Sequence, residues 1–329
     1  MCKLNVLTFS HAINGDCRKG FMKRLILLGA LAAVPFAASA QVLFSDDFDS
    51  NSTANWQINA SNAGNVANVF FDYSTVGIPS APGSTGGSTI GMKMESNIPG
   101  TGVFSGVSAS PLGQSFSGDY KLSFYMWQNF NGPFPGGGSG STQMSMGGIG
   151  APTAQTQFPG GTFTGLGFAA SGDGGTATDY RAYNAPGAPL AGVYTAGGQN
   201  NTNSYYAGFG GVTAPAAQLG LFPQQTGTTA VGTLGMAWHK WDITRIGNVV
   251  TWEVDGLLLA TVTNPNFGGS NIFLGQFDIN AGASTDPNAR ALLFGLVDNV
   301  SVTAVPEPGT MAALGLGAAF LARFRRKQK

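Results

Sequence analysis

Val249-Val250-Thr251-Trp252-Glu253-Val254, then Asp255-Gly256, then Leu257-Leu258-Leu259-Ala260-Thr261-Val262 is the stretch that decides the fold. Two short runs rich in β-branched and aromatic residues flank one Asp-Gly pair. In the first run Val250, Trp252 and Val254 fall on one face, and Val249, Thr251 and Glu253 on the other. Asp-Gly tolerates two successive positive φ angles, which a type I′ turn requires, and the twist of that turn matches paired strands. The spacing therefore predicts a hairpin with one buried face, Trp252 being a core residue.

The same pattern extends outward. Ala237–Ile246 alternates Trp238 and Lys240 against His239 and Trp241. Ile272–Asp278 and Leu292–Thr303 follow the hairpin. Upstream, Tyr120–Phe130 sets Leu122, Phe124 and Met126 against Ser123, Tyr125 and Trp127. Val42–Phe48, Val66–Tyr73, Ile90–Met94, Val103–Ala109, Phe163–Ala169 and Thr178–Tyr183 read as further strands. Pro79–Ser88 and the Gly-rich 131–141 stretch read as loops, and 186–233 as a long polar loop with short strands. Short alternating segments separated by turn chemistry define an all-β class, a single sandwich or jelly roll over residues 41–304.

The two ends differ from this body. Lys23-Arg24, the apolar run Leu25–Ala38 and Ala38-Ser39-Ala40 form the three regions of a secretory signal peptide, residues 22–40, with cleavage expected before Gln41. Residues 1–21 read as a mis-assigned extension ahead of a start at Met22, or as a long n-region. At the other end, Pro306 and Pro308 each remove a backbone donor and keep the chain extended. The apolar run Met311–Ala322 is about a dozen residues, short of the ~20 that span a bilayer as a helix. Arg323, Arg325, Arg326 and Lys327 then form a basic tail, the kind of cluster that stays cytoplasmic.

Without its ends the chain is acidic. Six basic and fourteen acidic residues lie between Gln41 and Val305, a net charge of −8, although the whole chain sums to zero. An acidic body excludes binding to a nucleic-acid backbone. It has no cysteine and one histidine, His239, which excludes disulfides and thiolate zinc sites.

Two resemblances follow from these residues. Residues 305–329, with Pro306-Glu307-Pro308, the apolar run expected to form a short helix and the basic tail, resemble the PEP-CTERM sorting tag. That resemblance implies export to the cell surface or extracellular matrix, processing by an exosortase-type membrane enzyme, and transient membrane attachment before processing. Trp238–Ile243, Gly247–Gly256 and Phe294–Val300 resemble laminin-G or concanavalin-like jelly rolls, which implies the fold and settles no activity.

Several side chains are candidate functional groups. Alternation places Asp46 with Phe44 and Phe48, and Asp298 with Phe294, Leu296, Val300 and Val302, on faces of core type. A carboxylate there needs a cation, a set of donors or a bulge that exposes it. Asp46, Asp47, Asp49 and Asp298 are thus candidate ligands of a structural Ca2+, which prefers several oxygens. The alternative is a bulge at Asp46-Asp47, with Asp298 capping a loop. Tyr125 and Trp127 are candidate sugar-stacking rings for a polysaccharide; Tyr180, Tyr183, Tyr205, Tyr206 and Trp241 are also read as exposed aromatics. Glu253 and Asp255 match the first part of an E-x-D-x-x-E glycosidase pattern, but leucines occupy the region of the third acid. His239 reads as a surface histidine rather than a catalytic one. The expected function is a non-enzymatic structural or adhesive protein; polysaccharide binding is the alternative and glycan hydrolysis the distant one.

Overall fold

The computed structural model describes residues 40–96, 104–136, 142–279 and 288–306. Fifteen strands lie among them. In chain order they are β1 (Val42–Asp46), β2 (Trp56–Ala60), β3 (Val66–Asp72), β4 (Ile90–Glu95), β5 (Ser105–Pro111), β6 (Tyr120–Asn129), β7 (Gln143–Ala151) and β8 (Leu166–Ser171). Then come β9 (Tyr180–Asn184), β10 (Ala188–Pro189), β11 (Trp238–Ile246), β12 (Val249–Val254), β13 (Leu257–Thr263), β14 (Asn271–Asp278) and β15 (Phe294–Ala304). One sheet has the order β13-β12-β11-β6-β15-β4-β3, with β1 also paired to β15; the other runs β10-β9-β8-β7-β14-β5-β2. All named pairings are antiparallel, so the body is an all-β sandwich of two sheets.

The hairpin forms as its sequence requires. Asp255 (φ 49°) and Gly256 (φ 81°) both lie in the left-handed region. Val250, Trp252 and Val254 are buried between the sheets beside Trp241, Ile243, Leu122 and Phe124. β2 and β7 escape a reading based on alternation. β7 carries Gly147 and Gly148, where a Cβ would come within 2.4 Å of Phe124 and 2.2 Å of Phe273. Those positions are small because large rings fill the space over them, so β7 lacks the apolar pattern of a central strand.

Both outer faces are partly covered. On the first sheet Trp127, Phe294 and Leu296 pack with Tyr73, Ile78, Phe130, Phe134 and Met236 from connecting segments. On the second, Met144, Met146, Phe273 and Phe277 pack with Phe158 and Phe163. Loops that cover a sheet face must bury side chains of their own, which is why 73–89 and 152–165 contribute aromatics to the packing. The signal-peptide and C-terminal-helix expectations lie outside the described residues. Among the described residues, no helix is long and apolar enough to cross a membrane.

Candidate functional site

β15 changes partner along one edge. Gly295–Val297 pair with β4, whereas Val300–Thr303 pair with β1. Asp298 and Asn299 occupy the junction, where the pairing of β15 with β6 shifts register and Asn299 takes φ 52°. The first and last strands are neighbours. Beside β1 and residues 299–301 of β15, a groove of about 480 Å3 opens. Its walls include Phe44, Asp46, Asp47, Ser50, Ser52, Asn55, Asn299 and Ser301.

β1 stops at Asp46 because its carboxylate turns the chain. Asp46 Oδ1 accepts the Phe48 N–H at 2.9 Å, and Asp47 Oδ1 accepts the Asp49 N–H at 3.2 Å. Such Asx turns divert the backbone from the ladder. Phe48, at φ 59°, is then fully buried and stacks on Trp56. The Trp56 indole N–H donates to Asp46 Oδ2 at 2.7 Å.

Asp298 is 1% exposed. Its Oδ2 accepts from the Tyr73 hydroxyl (2.8 Å) and Ser84 Oγ (3.1 Å), and its Oδ1 accepts the Asn299 N–H (2.7 Å). Tyr73 also takes the Ala81 N–H at 3.0 Å, so the carboxylate pins the 73–89 segment over the sheet. Burial pushes the Asp298 carboxyl up to about 6, and the charge of Asp49 adds to this, against the lowering by its three hydrogen bonds. Burial also raises the Tyr73 hydroxyl.

The four aspartates proposed as calcium ligands are therefore used one at a time. Asp46 and Asp298 each have protein donors, while Asp47 and Asp49 are exposed on the turn. Among the described residues, no group of three or more His, Cys, Asp or Glu is placed to hold a metal ion. The donor sets supply what the sequence left open, a reason for carboxylates on core-type faces.

The proposed sugar-stacking pair is not open as a pair. Trp127 is 2% exposed, lies edge-on to Trp238 at 5.8 Å, and donates its indole N–H to Asn129 Oδ1. The 73–89 segment covers it, so it offers no free face; only Tyr125 is half-exposed. Tyr180, Tyr183, Tyr206 and Trp241 are likewise buried, at 4% exposure or less, correcting their reading as exposed aromatics.

His239 is also corrected: it is 8% exposed, on the inward face with Trp241, with the Phe209 ring edge-on at 5.5 Å. Glu253 and Asp255 do not act as a strand-face pair. Asp255 sits in the turn, where Oδ1 accepts the Lys240 N–H at 2.7 Å and Oδ2 meets His239 Nδ1 at 2.6 Å. Glu253 instead stands opposite Asp242 on β11, and Lys240 Nζ lies 3.1 Å from Asp242.

Sequence reasoning missed Trp56 and Ser52 in the segment after β1, and Tyr73 and Ser84, which lie 225 and 214 positions from the Asp298 that they serve. The signal present was the need for donors around two carboxylates on apolar faces. Pro306 ends the described chain; Glu307, Pro308, Arg323, Arg325, Arg326 and Lys327 lie outside the described residues.

Comparison with known proteins bears first on the terminus. Residues 304–327 match the family model described as the PEP-CTERM protein-sorting motif. The chain therefore carries that motif, which marks an exported, cell-envelope-associated protein. No curated protein matches the sequence. Among solved structures, the Emp47p carbohydrate recognition domain is similar at 10% identity and a TM-score of 0.41, over 82% of this chain and 99% of its own. A Bacillus licheniformis β-glucanase is similar at 13% identity and a TM-score of 0.38, over 80% of this chain and 98% of its own. A Bacillus subtilis protein with a galectin-like fold is similar at 7% identity and 0.37, over 81% and 97%. Likeness at this level bears on neither ligand nor activity.

Proposed function

We propose that this chain is a non-enzymatic structural or adhesive component of the cell surface or extracellular matrix, delivered there through its C-terminal motif and an exosortase-type membrane enzyme. The observation that carries the reading is how the body uses its acids. Asp46, Asp255 and Asp298 each accept hydrogen bonds that shape a turn or pin a loop. Carboxylates committed in this way are poor candidates for acid–base chemistry, which needs a group free to exchange a proton with substrate. His239 adds no nucleophile: its Nδ1 is taken by Asp255, and its Nε2 is buried without a hydrogen-bond partner.

The test is replacement of Pro306, Glu307 and Pro308 by alanine in the producing cell. The variant is expected to accumulate as a larger, unprocessed form and to be depleted from the surface fraction. Unchanged mass and location of the variant would remove the sorting half of the reading. Turnover of a polysaccharide by the purified protein, lost in Glu253→Gln, would remove the non-enzymatic half.

A further inference from the structure

Two turns join β11, β12 and β13, and they differ in chemistry. The turn at one end is Asp255-Gly256, polar as a solvent-facing turn should be. The turn at the other end is Gly247-Asn248. The residues flanking it, Ile246 and Val249, pair across the ladder and are 49% and 38% exposed. Two aliphatic side chains side by side at an exposed turn form a small apolar knob.

The chain leaves the body against this knob. Asp119 holds both: its carbonyl accepts the Val305 N–H at 3.0 Å, and its Oδ1 accepts the Gly247 N–H at 2.7 Å. The chain also enters here, since Gln41 O accepts the Ala304 N–H at 2.8 Å. Val42 follows on β1 opposite Thr303, and is 58% exposed. From β11 across β6 and β15 to β1 is three strand spacings, roughly 14 Å. Five residues, 306–310, separate Val305 from the apolar run that begins at Met311. At ~3.6 Å per residue or less, they hold Val305 within about 20 Å of that run.

We propose that the Ile246–Val249 knob is a lipid-contact site, one that presupposes the transient membrane attachment implied by the sorting tag. While the apolar run holds the unprocessed chain at a bilayer, Ile246 and Val249, with Val42 near the exit, rest in the boundary between headgroups and acyl chains. The position of the exit selects the lipid surface over a protein partner, because it sets which end of the body faces the bilayer. Burying two small aliphatic side chains is marginal by itself. The covalent link makes the contact intramolecular, so that a weak interaction is populated. Charge agrees with this orientation. The Asp119 carboxylate is engaged by Gly247, and Glu253 and Asp255 lie toward the other end of the hairpin, away from lipid phosphates.

The experiment inserts the full, unprocessed chain into vesicles of phosphatidylcholine with a minor share of phosphatidylglycerol. Cys2→Ser and Cys17→Ser remove the native thiols. A single fluorescent label is then placed by Asn248→Cys at the knob, or by Val66→Cys at the exposed opposite end of the sheet, where β3 pairs with Glu95. Flotation reports attachment; iodide in the water and a nitroxide on the lipid chains report where each label sits. The label at 248 is expected to be shielded from iodide about threefold relative to that at 66, and to be quenched by the lipid nitroxide. Ile246→Ser combined with Val249→Ser should reduce this contact about tenfold at unchanged flotation. Both side chains are exposed, so the double variant should melt with wild type. Equal iodide access at 248 and 66 in floated protein, or a label at 248 that stays shielded in the double variant, would overturn the lipid-contact site and leave attachment standing. Failure of the full chain to float would overturn attachment itself, and the site with it.

Discussion

His239 Nδ1 and Asp255 Oδ2 lie 2.6 Å apart, joining a buried strand residue to the first turn position of the neighbouring hairpin. The contact fixes the imidazole and gives the turn a reason to be Asp. Burial alone would raise the Asp255 carboxyl; the hydrogen bond and charge of His239, with those of Lys240, outweigh it and hold it below its ordinary value. Asp255→Ala removes two acceptors and places alanine at positive φ. It should destabilise the protein by about 1–3 kcal/mol, read as a lower denaturation midpoint. Asp255→Asn, which tolerates the same backbone angle, should cost clearly less.

The depressed Asp255 value also gives a sign with pH. Such a group stabilises the fold above its unfolded value of 3.8, and that contribution is lost as pH falls through the lower, folded value. Asp298 has the opposite sign. Its folded value of about 6 lies above the unfolded 3.8, so the folded state holds the proton more tightly. Stability from this group is complete below about pH 4 and declines as pH rises toward 6. The decline is about 3 kcal/mol in order of magnitude, from 1.36 kcal/mol per pH unit. Equilibrium unfolding in chelator between pH 4 and 7 should show it, and Asp298→Asn should flatten that step.

Tyr73, Ser84 and Asn299 already supply three donors to Asp298. The donor set predicts that chelator leaves the unfolding temperature unchanged near neutral pH. A fall of several degrees, restored by added Ca2+, would show that a hard cation holds the junction and that the four aspartates serve it.

Gly147 lies beneath Phe124 on the facing sheet, where a Cβ would meet the ring at 2.4 Å. Gly147→Ala should destabilise by about 1–3 kcal/mol through overpacking, and Gly147→Val by more. Differential scanning calorimetry of the two variants checks the order.

The hairpin and the strand Tyr120–Asn129 were legible because alternation and one Asp-Gly pair are local signals. β7 was not, since its glycines answer to rings from Phe124 and Phe273, far away in the chain. The location of the acids on core-type faces was also legible from alternation. Which groups satisfy them was not, because Tyr73 reaches Asp298 across 225 positions. Trp127 shows the same limit from the other side. Its outward position on β6 follows from the sequence, but burial depends on a segment that folds back over it and on Trp238, whose indole N–H is tied to Pro79 O.

The divided edge of β15 has a mechanical consequence. The chain leaves toward its sorting motif from the C-terminal end of this strand, which is hydrogen-bonded to β6 on one side and to β4 and β1 on the other. A tether fixed beyond Pro306 would therefore transmit tension into an interior strand. A load along that strand must shear both flanking ladders together, whereas a peripheral strand could be unzipped one rung at a time.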